Sequence, residues 1–204
     1  MLRLFEEINY QNILPKDGEA VFFACFFNKT DSDRYYKSLL EVVNWRQDKI
    51  RIYGKWVNQP RLTAWFGDKD KVYEYSGIEM KPDPWLPELL EIKNAVDKIA
   101  GVEFTNVLLN LYRDGHDSVG WHADNESALG KNPVIASVSF GAARIFKFRH
   151  MEDKTLQRQI SLTHGSILLM KGQTQHNWQH QVPKTLRKIS SRINLTFRVI
   201  YINK

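Results

Sequence analysis

Apolar residues recur along the chain at two spacings, one helical and one alternating, and each predicts its own kind of element. Tyr35, Leu39, Leu40, Val42 and Val43 fall at roughly helical spacing behind Asp31, which predicts a capped helix running to about Asn44. Leu89, Leu90, Ile92, Val96 and Ile99 form a second helical stripe. It is opened by Pro87, a favoured first-turn residue, and closed before Gly101. Between the helices lie short aromatic, β-prone pieces at 50–53, 62–66 and 72–75. Gly54 after the first and Gly67-Asp68 after the second predict hairpins. From Phe104 onward strands alone are predicted, near 105–113, 134–140, 143–149, 156–162, 166–170 and 192–201. Turn residues such as Asp114-Gly115, Gly141, His164-Gly165 and Lys171-Gly172 separate them. Many short strands with regular turns predict a sandwich, jelly roll or barrel. The expected class is therefore mixed α/β, with helices packed outside a β core formed mainly by the C-terminal half.

No repeat or low-complexity linker divides the 204 residues, so one domain, 1–204, is expected. Residues 1–103 would be a helical buttress carrying hairpins, and 104–204 the β core. The balance of 43% hydrophobic and 25% charged residues is that of a soluble globular protein. A net charge of +6 tilts the expectation toward a polyanionic partner. Cys25 is the only cysteine, which excludes an internal disulfide and makes a reducing compartment the default. Its run, Val21-Phe22-Phe23-Ala24-Cys25-Phe26-Phe27, predicts a buried, inert thiol and is far too short to cross a bilayer. Arg3, Glu6 and Glu7 near the N-terminus do not make a secretory signal. A monomer without membrane contact is expected, cytoplasmic, and nucleoid-associated in a bacterium or nuclear in a eukaryote.

The chemistry begins at His122-Ala123-Asp124. In an extended segment residues two apart point to one face, so the imidazole and the carboxylate can grip one ion. A distant histidine would complete the two-histidine, one-carboxylate facial triad, which leaves iron(II) sites open for oxygen and a cosubstrate. His150 and His164, at a strand end and in a turn, read as surface or structural residues. His176 and His180 share parity, and the bare pattern does not choose between them.

The last strand alternates strictly. Ile193, Leu195, Phe197 and Val199 lie on one face, and Arg192, Asn194, Thr196 and Arg198 on the other. Two arginines framing an amide and a hydroxyl suit a buried dicarboxylate, because guanidinium forks bind carboxylates bidentately. Six residues separate them, roughly 20 Å at about 3.3 Å per residue. They therefore cannot meet at one carboxylate, but they can lean toward opposite ends of an elongated diacid. Asn110 and Tyr112, two apart on a neighbouring strand, can add donors.

These residues resemble a known family. Asn110-Leu111-Tyr112-Arg113, His122-Ala123-Asp124, Ala136-Ser137-Val138-Ser139-Phe140-Gly141, His164-Gly165-Ser166 and Arg192-Ile193-Asn194-Leu195-Thr196-Phe197-Arg198 follow the order and spacing of AlkB-like dioxygenases. Upstream, Gln59-Pro60-Arg61 and Tyr73-Glu74-Tyr75-Ser76-Gly77 extend the likeness, which covers roughly 50–201 and is similar above all to the animal nuclear DNA-repair members. The resemblance implies a double-stranded β-helix, a jelly-roll relative, with Fe(II) in its mouth. It implies His180 as the third metal ligand beside His122 and Asp124. It also implies that Asn110, Tyr112, Arg192, Asn194 and Arg198 bind 2-oxoglutarate, with the two arginines near opposite carboxylates. The implied reaction uses O2, decarboxylates 2-oxoglutarate to succinate and hydroxylates an N-methyl group, which then leaves as formaldehyde.

A methylated base inside a duplex must be extruded, or presented on a single strand, before its methyl group is reachable. By the same resemblance Tyr73 and Tyr75 line the base pocket, with Ser76 and Glu126 as polar neighbours and Arg61 at the rim. Tyr53-Gly54-Lys55 resembles a hairpin that inserts an aromatic ring into duplex DNA, whereas the segments 59–65 and 117–122 are more like the relative that favours single strands. Both forms of DNA are expected as substrates. Asn125 stands where the family often has an aspartate that contacts the base amino group; its amide still accepts a hydrogen bond, without the charge. The basic residues Arg144, Lys147, Arg149, Lys184, Arg187 and Lys188 are candidates for phosphate contacts. RNA as the polymer, and a catalytically silent nucleic-acid-binding β-helix, are the competing readings.

Overall fold

Each helix owes its position to a different kind of start. In the computed structural model, residues 11–52, 54–69, 73–75 and 78–201 are described, with the backbone course alone at 51–52, 73–75 and 78–80. Strand β1 (Glu19–Phe23) precedes helix α1 (Lys29–Val42). The cap of α1 is Asn28, not the predicted Asp31: the Asn28 side chain accepts the Asp31 backbone N–H, and Asp31 sits in the first turn. Ser32, Tyr35, Leu39 and Val43 form its buried face, while Val42, predicted to share it, is half exposed. Then come β2 (Lys49–Ile52), β3 (Lys55–Asn58), β4 (Leu62–Gly67), β5 (Tyr73–Tyr75) and β6 (Ile78–Met80). Helix α2 (Pro87–Ala100) opens on Pro87 as expected and ends at Gly101, whose φ of +71° lets its N–H reach the Asp97 carbonyl. Leu89, Ile92, Val96 and Ala100 are buried; Leu90, counted in the predicted stripe, faces outward.

The remaining elements are β7 (Asn106–Tyr112), β8 (Val119–His122), β9 (Ile135–Gly141), β10 (Arg144–His150), β11 (Gln157–Leu162), β12 (Ser166–Lys171), the one-turn helix α3 (Thr174–Asn177), β13 (Trp178–Val182) and β14 (Arg192–Arg198). α3 and a 3-10 turn at Ser127–Leu129 interrupt what was expected to be strands alone. Among the described residues two main antiparallel sheets result, a larger one in the order β1-β12-β9-β14-β7-β4 and a smaller one in the order β11-β10-β13-β8, while β2-β3 and β5-β6 form separate two-stranded pairs. This is the jelly-roll architecture the pattern predicted.

Two apolar layers hold it. One lies between the helices and the larger sheet, where Tyr35, Leu39, Leu89, Ile92 and Val96 meet Val107, Leu109, Val138, Phe140, Leu195 and Phe197. The other joins Trp65, Tyr112, Ile135, Leu168 and Met170 of the larger sheet to Phe146, Phe148, Leu162 and Trp178, which come from the smaller sheet. Because Ile193, Leu195 and Phe197 belong to the helix-side layer, strand alternation turns Arg192, Asn194 and Thr196 toward the interior between the sheets. The polar face of β14 is therefore buried, not wet.

The N-terminal half departs from expectation in two further places. Gly67-Asp68 is no hairpin: β4 pairs with β7, Gly67 lies opposite Asn106, and the Asp68 N–H bonds the Thr105 carbonyl. A Cβ on Gly67 would come within 2.8 Å of that same carbonyl, so the glycine serves close approach of two strands. Cys25 is exposed, not buried, because β1 ends at Phe23 and the chain turns before Phe27 comes back to pack on Phe140 and Tyr35. The Gly54 hairpin is present, with β2 and β3 paired from Lys49↔Asn58 to Ile52↔Lys55. Among the described residues no helix is long and apolar enough to cross a membrane.

Candidate functional site

The smaller sheet brings the candidate ligands together by register. His122 closes β8, and its cross-strand partner on β13 is His180, so the two imidazole centroids lie 4.3 Å apart. Asp124 follows two residues after His122, just past the strand end. Ligand atoms of His122, Asp124 and His180 all lie within 4.8 Å of one another. His176 is excluded from this group because it lies on α3, where parity has no meaning; it is exposed and accepts the Asn132 N–H. His150 and His164 are structural, as expected: their Nδ1 atoms accept the Asp153 and Gly141 N–H groups.

The surroundings of the triad prepare it for a cation. Gly120 O lies 2.9 Å from His122 Nδ1; since a carbonyl only accepts, the proton sits on Nδ1 and the Nε2 lone pair is free. His180 is 4% exposed, with Phe146 stacked on its ring at 5.2 Å. Burial, together with the neighbouring His122, pulls its pKa down to about 3, so it is neutral and can donate its lone pair. Burial alone would raise the Asp124 carboxyl, but Arg198, His180 and His122 outweigh it and hold the pKa at about 2. Arg198 Nη2 lies 3.0 Å from Asp124 Oδ2. A buried carboxylate and two imidazoles, with the half-buried His122 toward the open side, fit an iron(II) ion with positions left for other ligands.

The polar face of β14 continues from that pair to the far end of the strand. Thr196 Oγ1 donates to Asn194 Oδ1, and Asn194 Nδ2 donates to Ser137 Oγ at 2.7 Å. Asn110 Nδ2 also faces Asn194 Oδ1, while Asn110 Oδ1 accepts Arg61 Nε at 2.7 Å. Arg61, expected at the rim, is thus tied to the strand face by Asn110. Arg192, 1% exposed, donates Nη2 to Ser139 Oγ, and its guanidinium sits 5.2 Å from the Tyr112 ring. Nε and Nη1 of Arg192 are buried with no hydrogen-bond partner, and burial pulls its pKa down to about 10. A buried guanidinium with two of its three nitrogens unsatisfied calls for an anion. The carboxylate of 2-oxoglutarate fits that demand at the Arg192 end, with Arg198 at the metal end.

Other predicted residues distribute unevenly. Glu126 leaves Oε2 buried without a partner two residues beyond Asp124, and Asn125 between them is exposed. Tyr53 and Ser76, and the side chains of Tyr73 and Tyr75, lie outside the described residues. Arg144 is not available to phosphates: its guanidinium is buried and bonds the carbonyls of Asp114, Asp117 and Pro183. Arg149 lies 4.4 Å over Trp121 and bonds Gln179 Oε1. Lys147, Lys184 and Arg187 line a groove of about 500 Å³. Ser137 and Ser139, whose shared parity on β9 places both on the polar side, accept from Asn194 and Arg192. That parity is legible in the sequence, whereas Phe146 and Gln175 carried no such signal.

Comparison with known proteins agrees with this geometry. The family described as the 2OG-Fe(II) oxygenase superfamily matches residues 19–198. The "alpha-ketoglutarate-dependent dioxygenase alkB homolog 3" of Bos taurus is 43% identical over 185 residues, covering 86% of this chain and 64% of its own length. This chain therefore spans just under two thirds of that relative. The "DNA oxidative demethylase ALKBH2" of Mus musculus is 35% identical over 201 residues, covering 94% of this chain and 84% of its own. A solved structure titled "The structure of OsALKBH1" superposes with a TM-score of 0.56 over 88% of this chain and 97% of that one, at 18% identity, which speaks to the fold alone.

Proposed function

The chain belongs to the 2OG-Fe(II) oxygenase superfamily, and on that premise we propose that it demethylates N-alkylated bases of DNA, 1-methyladenine and 3-methylcytosine, on single strands and duplexes. The observation that carries this reading is the buried Arg192 guanidinium with two unpartnered nitrogens, on the same strand face as the Arg198–Asp124 pair. A protein that only bound nucleic acid would have no use for a buried guanidinium with two unsatisfied nitrogens on the strand face that runs to a His-Asp-His cluster.

In this reading His122, Asp124 and His180 hold iron(II). Arg192, with Tyr112 beside it, takes one carboxylate of 2-oxoglutarate, Arg198 stands by the other, and Asn110 and Asn194 fix the chain between them. When bound, iron and cosubstrate supply the oxidation: O2 is consumed, 2-oxoglutarate becomes succinate and CO2, and the methyl carbon gains an oxygen and leaves as formaldehyde. The protein's own work is placement. Neutral His180 and ionised Asp124 present lone pairs at neutral pH without first losing a proton. The sandwich walls exclude water from the cosubstrate. Arg61, Tyr73, Tyr75, Ser76, Asn125 and Glu126 are assigned to the base, and Tyr53 to the gap that the extruded base leaves in a duplex. The net charge of +6 and the name of the mouse relative, a DNA oxidative demethylase, support DNA as the polymer.

The test is anaerobic loading with iron(II) and 2-oxoglutarate, then assay on 1-methyladenine oligonucleotides as single-stranded DNA, duplex DNA and RNA. Succinate and formaldehyde should appear on both DNA forms and vanish in His180→Ala. Tyr53→Ala should cut duplex repair while sparing single strands. Turnover that survives His180→Ala removes the ligand assignment; turnover on RNA alone replaces DNA by RNA; no turnover on any nucleic acid ends the proposal.

A further inference from the structure

Gln175 is fully buried, and its side-chain amide reaches the backbone of Asp124 rather than solvent. The reason lies in the end of a strand. β8 stops at His122, where it last pairs with β13, so the Asp124 N–H beyond it has no ladder partner. Asp124 is 3% exposed, so a buried donor there needs a partner from the protein. Gln175 Oε1 accepts it at 2.9 Å, in place of the missing strand. A backbone N–H only donates, which fixes the amide orientation: oxygen toward Asp124, and Nε2 toward Met170 Sδ at 3.6 Å.

Both ends of this bridge are held. Met170 belongs to β12 of the larger sheet. Gln175 sits on α3, whose first residue, Thr174, accepts the Glu19 N–H at 2.8 Å and donates to the Lys171 carbonyl at 2.6 Å. Five residues after Gln175 the same segment delivers His180. One side chain thus connects the segment that carries His180 to the backbone that carries Asp124.

We propose that Gln175 is a positioning residue of the metal site, setting the distance between the Asp124 carboxylate and the His180 imidazole and thereby tightening divalent-metal binding; this rests on the reading of His122, Asp124 and His180 as ligands. It touches no substrate, and it acts through the Asp124 backbone and the segment that carries His180. Partners of this kind, one step behind a metal ligand, typically change metal affinity by about 10–100-fold.

Mn(II), which needs no turnover to be read, is the probe: its binding to the full chain is followed by the loss of the free-ion paramagnetic resonance signal, alongside the thermal midpoint of the metal-free protein. Gln175→Met keeps the length and removes the acceptor, and should weaken Mn(II) binding by about 10–100-fold. Gln175→Glu keeps an acceptor oxygen and should recover most of that loss. Met170→Leu removes only the far contact and should leave the affinity unchanged. If Gln175→Met lowers the midpoint but binds Mn(II) as the unaltered protein does, Gln175 is merely structural and the proposal is wrong. Should Gln175→Met not fold, Gln175→Asn, too short to reach Asp124, takes its place with the same two outcomes. Asp124→Ala separates the premise from the inference: if the unaltered chain binds Mn(II) no better than this variant, the metal-site reading fails and the positioning role falls with it.

Discussion

β14 and β8 each present residues to the same site, but they are secured on different terms. β14 is paired along almost its whole length on both sides, with β7 and with β9, and six of its seven residues are buried. β8 is a four-residue edge strand, paired with β13 alone at His122 and Val119 across an irregular register. The cosubstrate end of the site is therefore a fixed wall, whose polar face is satisfied by Ser137, Ser139, Asn110 and Thr196 except at Nε and Nη1 of Arg192. The metal end is held by side chains reaching in from elsewhere: Gln175 on the Asp124 backbone, Arg198 on its carboxylate and Phe146 on the His180 ring. Where the sheet supplies order, one residue can be left unpaired for a ligand; where the sheet ends, individual contacts must supply it.

The largest effect that separates the two ends is expected at Arg192. Arg192→Met should weaken 2-oxoglutarate binding by about 2–5 kcal/mol, the scale for losing one partner of a buried charge pair. The same substitution removes a desolvated, unsatisfied cation from the cosubstrate-free protein. Its fold should gain about 1–3 kcal/mol, a rise in Tm of about 2–4 °C per kcal/mol for a chain of this size. Adding 2-oxoglutarate should raise the Tm of the unaltered protein and not that of the variant. A variant that is less stable without cosubstrate would mean that Arg192 is structural and that the two ends do not differ in this way.

The contrast between the ends also decided what the sequence could disclose. Strict alternation in 192–198 announced a two-faced strand, and the motif set named His122, Asp124 and His180 as candidate ligands; registry then explains why His122 and His180 meet. Both helices, the hairpin at Gly54 and six strands of the C-terminal half were legible because periodicity and turn residues are local signals. The short strands β8 and β13 were not, since four or five residues with bulky polar members carry no period. Gln175 was invisible for a plainer reason: its role depends on where a different strand stops. Gly67 misled because a glycine reads alike in a hairpin and at a close approach of strands.

A middle-sized effect is expected at the metal end when the pH falls. In the unfolded chain His180 takes a proton near its ordinary pKa of 6.5, whereas the folded, metal-free chain resists until about 3. The unfolded state thus binds more protons across that window, and stability present above 6.5 is lost progressively as the pH drops toward 3. Asp124, ordinarily near 3.8 and held at about 2, extends the loss below pH 4 in the same direction. Thermal midpoints of the metal-free protein between pH 7.5 and 5 should fall, and His180→Leu should flatten that slope. Arg192→Met, at the other end, should leave the slope as it is. A slope that persists in His180→Leu would put the acid sensitivity outside the metal end.

The smallest effect belongs to the rim, where Asn125 is exposed beside buried Asp124. Asn125→Asp restores a charged acceptor for the exocyclic amino group of a methylated base, and hydrogen bonds to charged groups are about twice as strong as neutral ones. The gain is about 0.5–1.5 kcal/mol, a two- to tenfold change in relative kcat/KM at about 1.4 kcal/mol per factor of ten. 1-Methyladenine keeps a donor at that position, and an etheno adduct of adenine, with the nitrogen closed into a ring, does not. The ratio of the two rates should therefore rise in Asn125→Asp, while the KM for 2-oxoglutarate, governed by the wall of β14, should not move. An unchanged ratio would take Asn125 out of the base contact; a shifted KM would show that the rim and the wall are coupled rather than independently built.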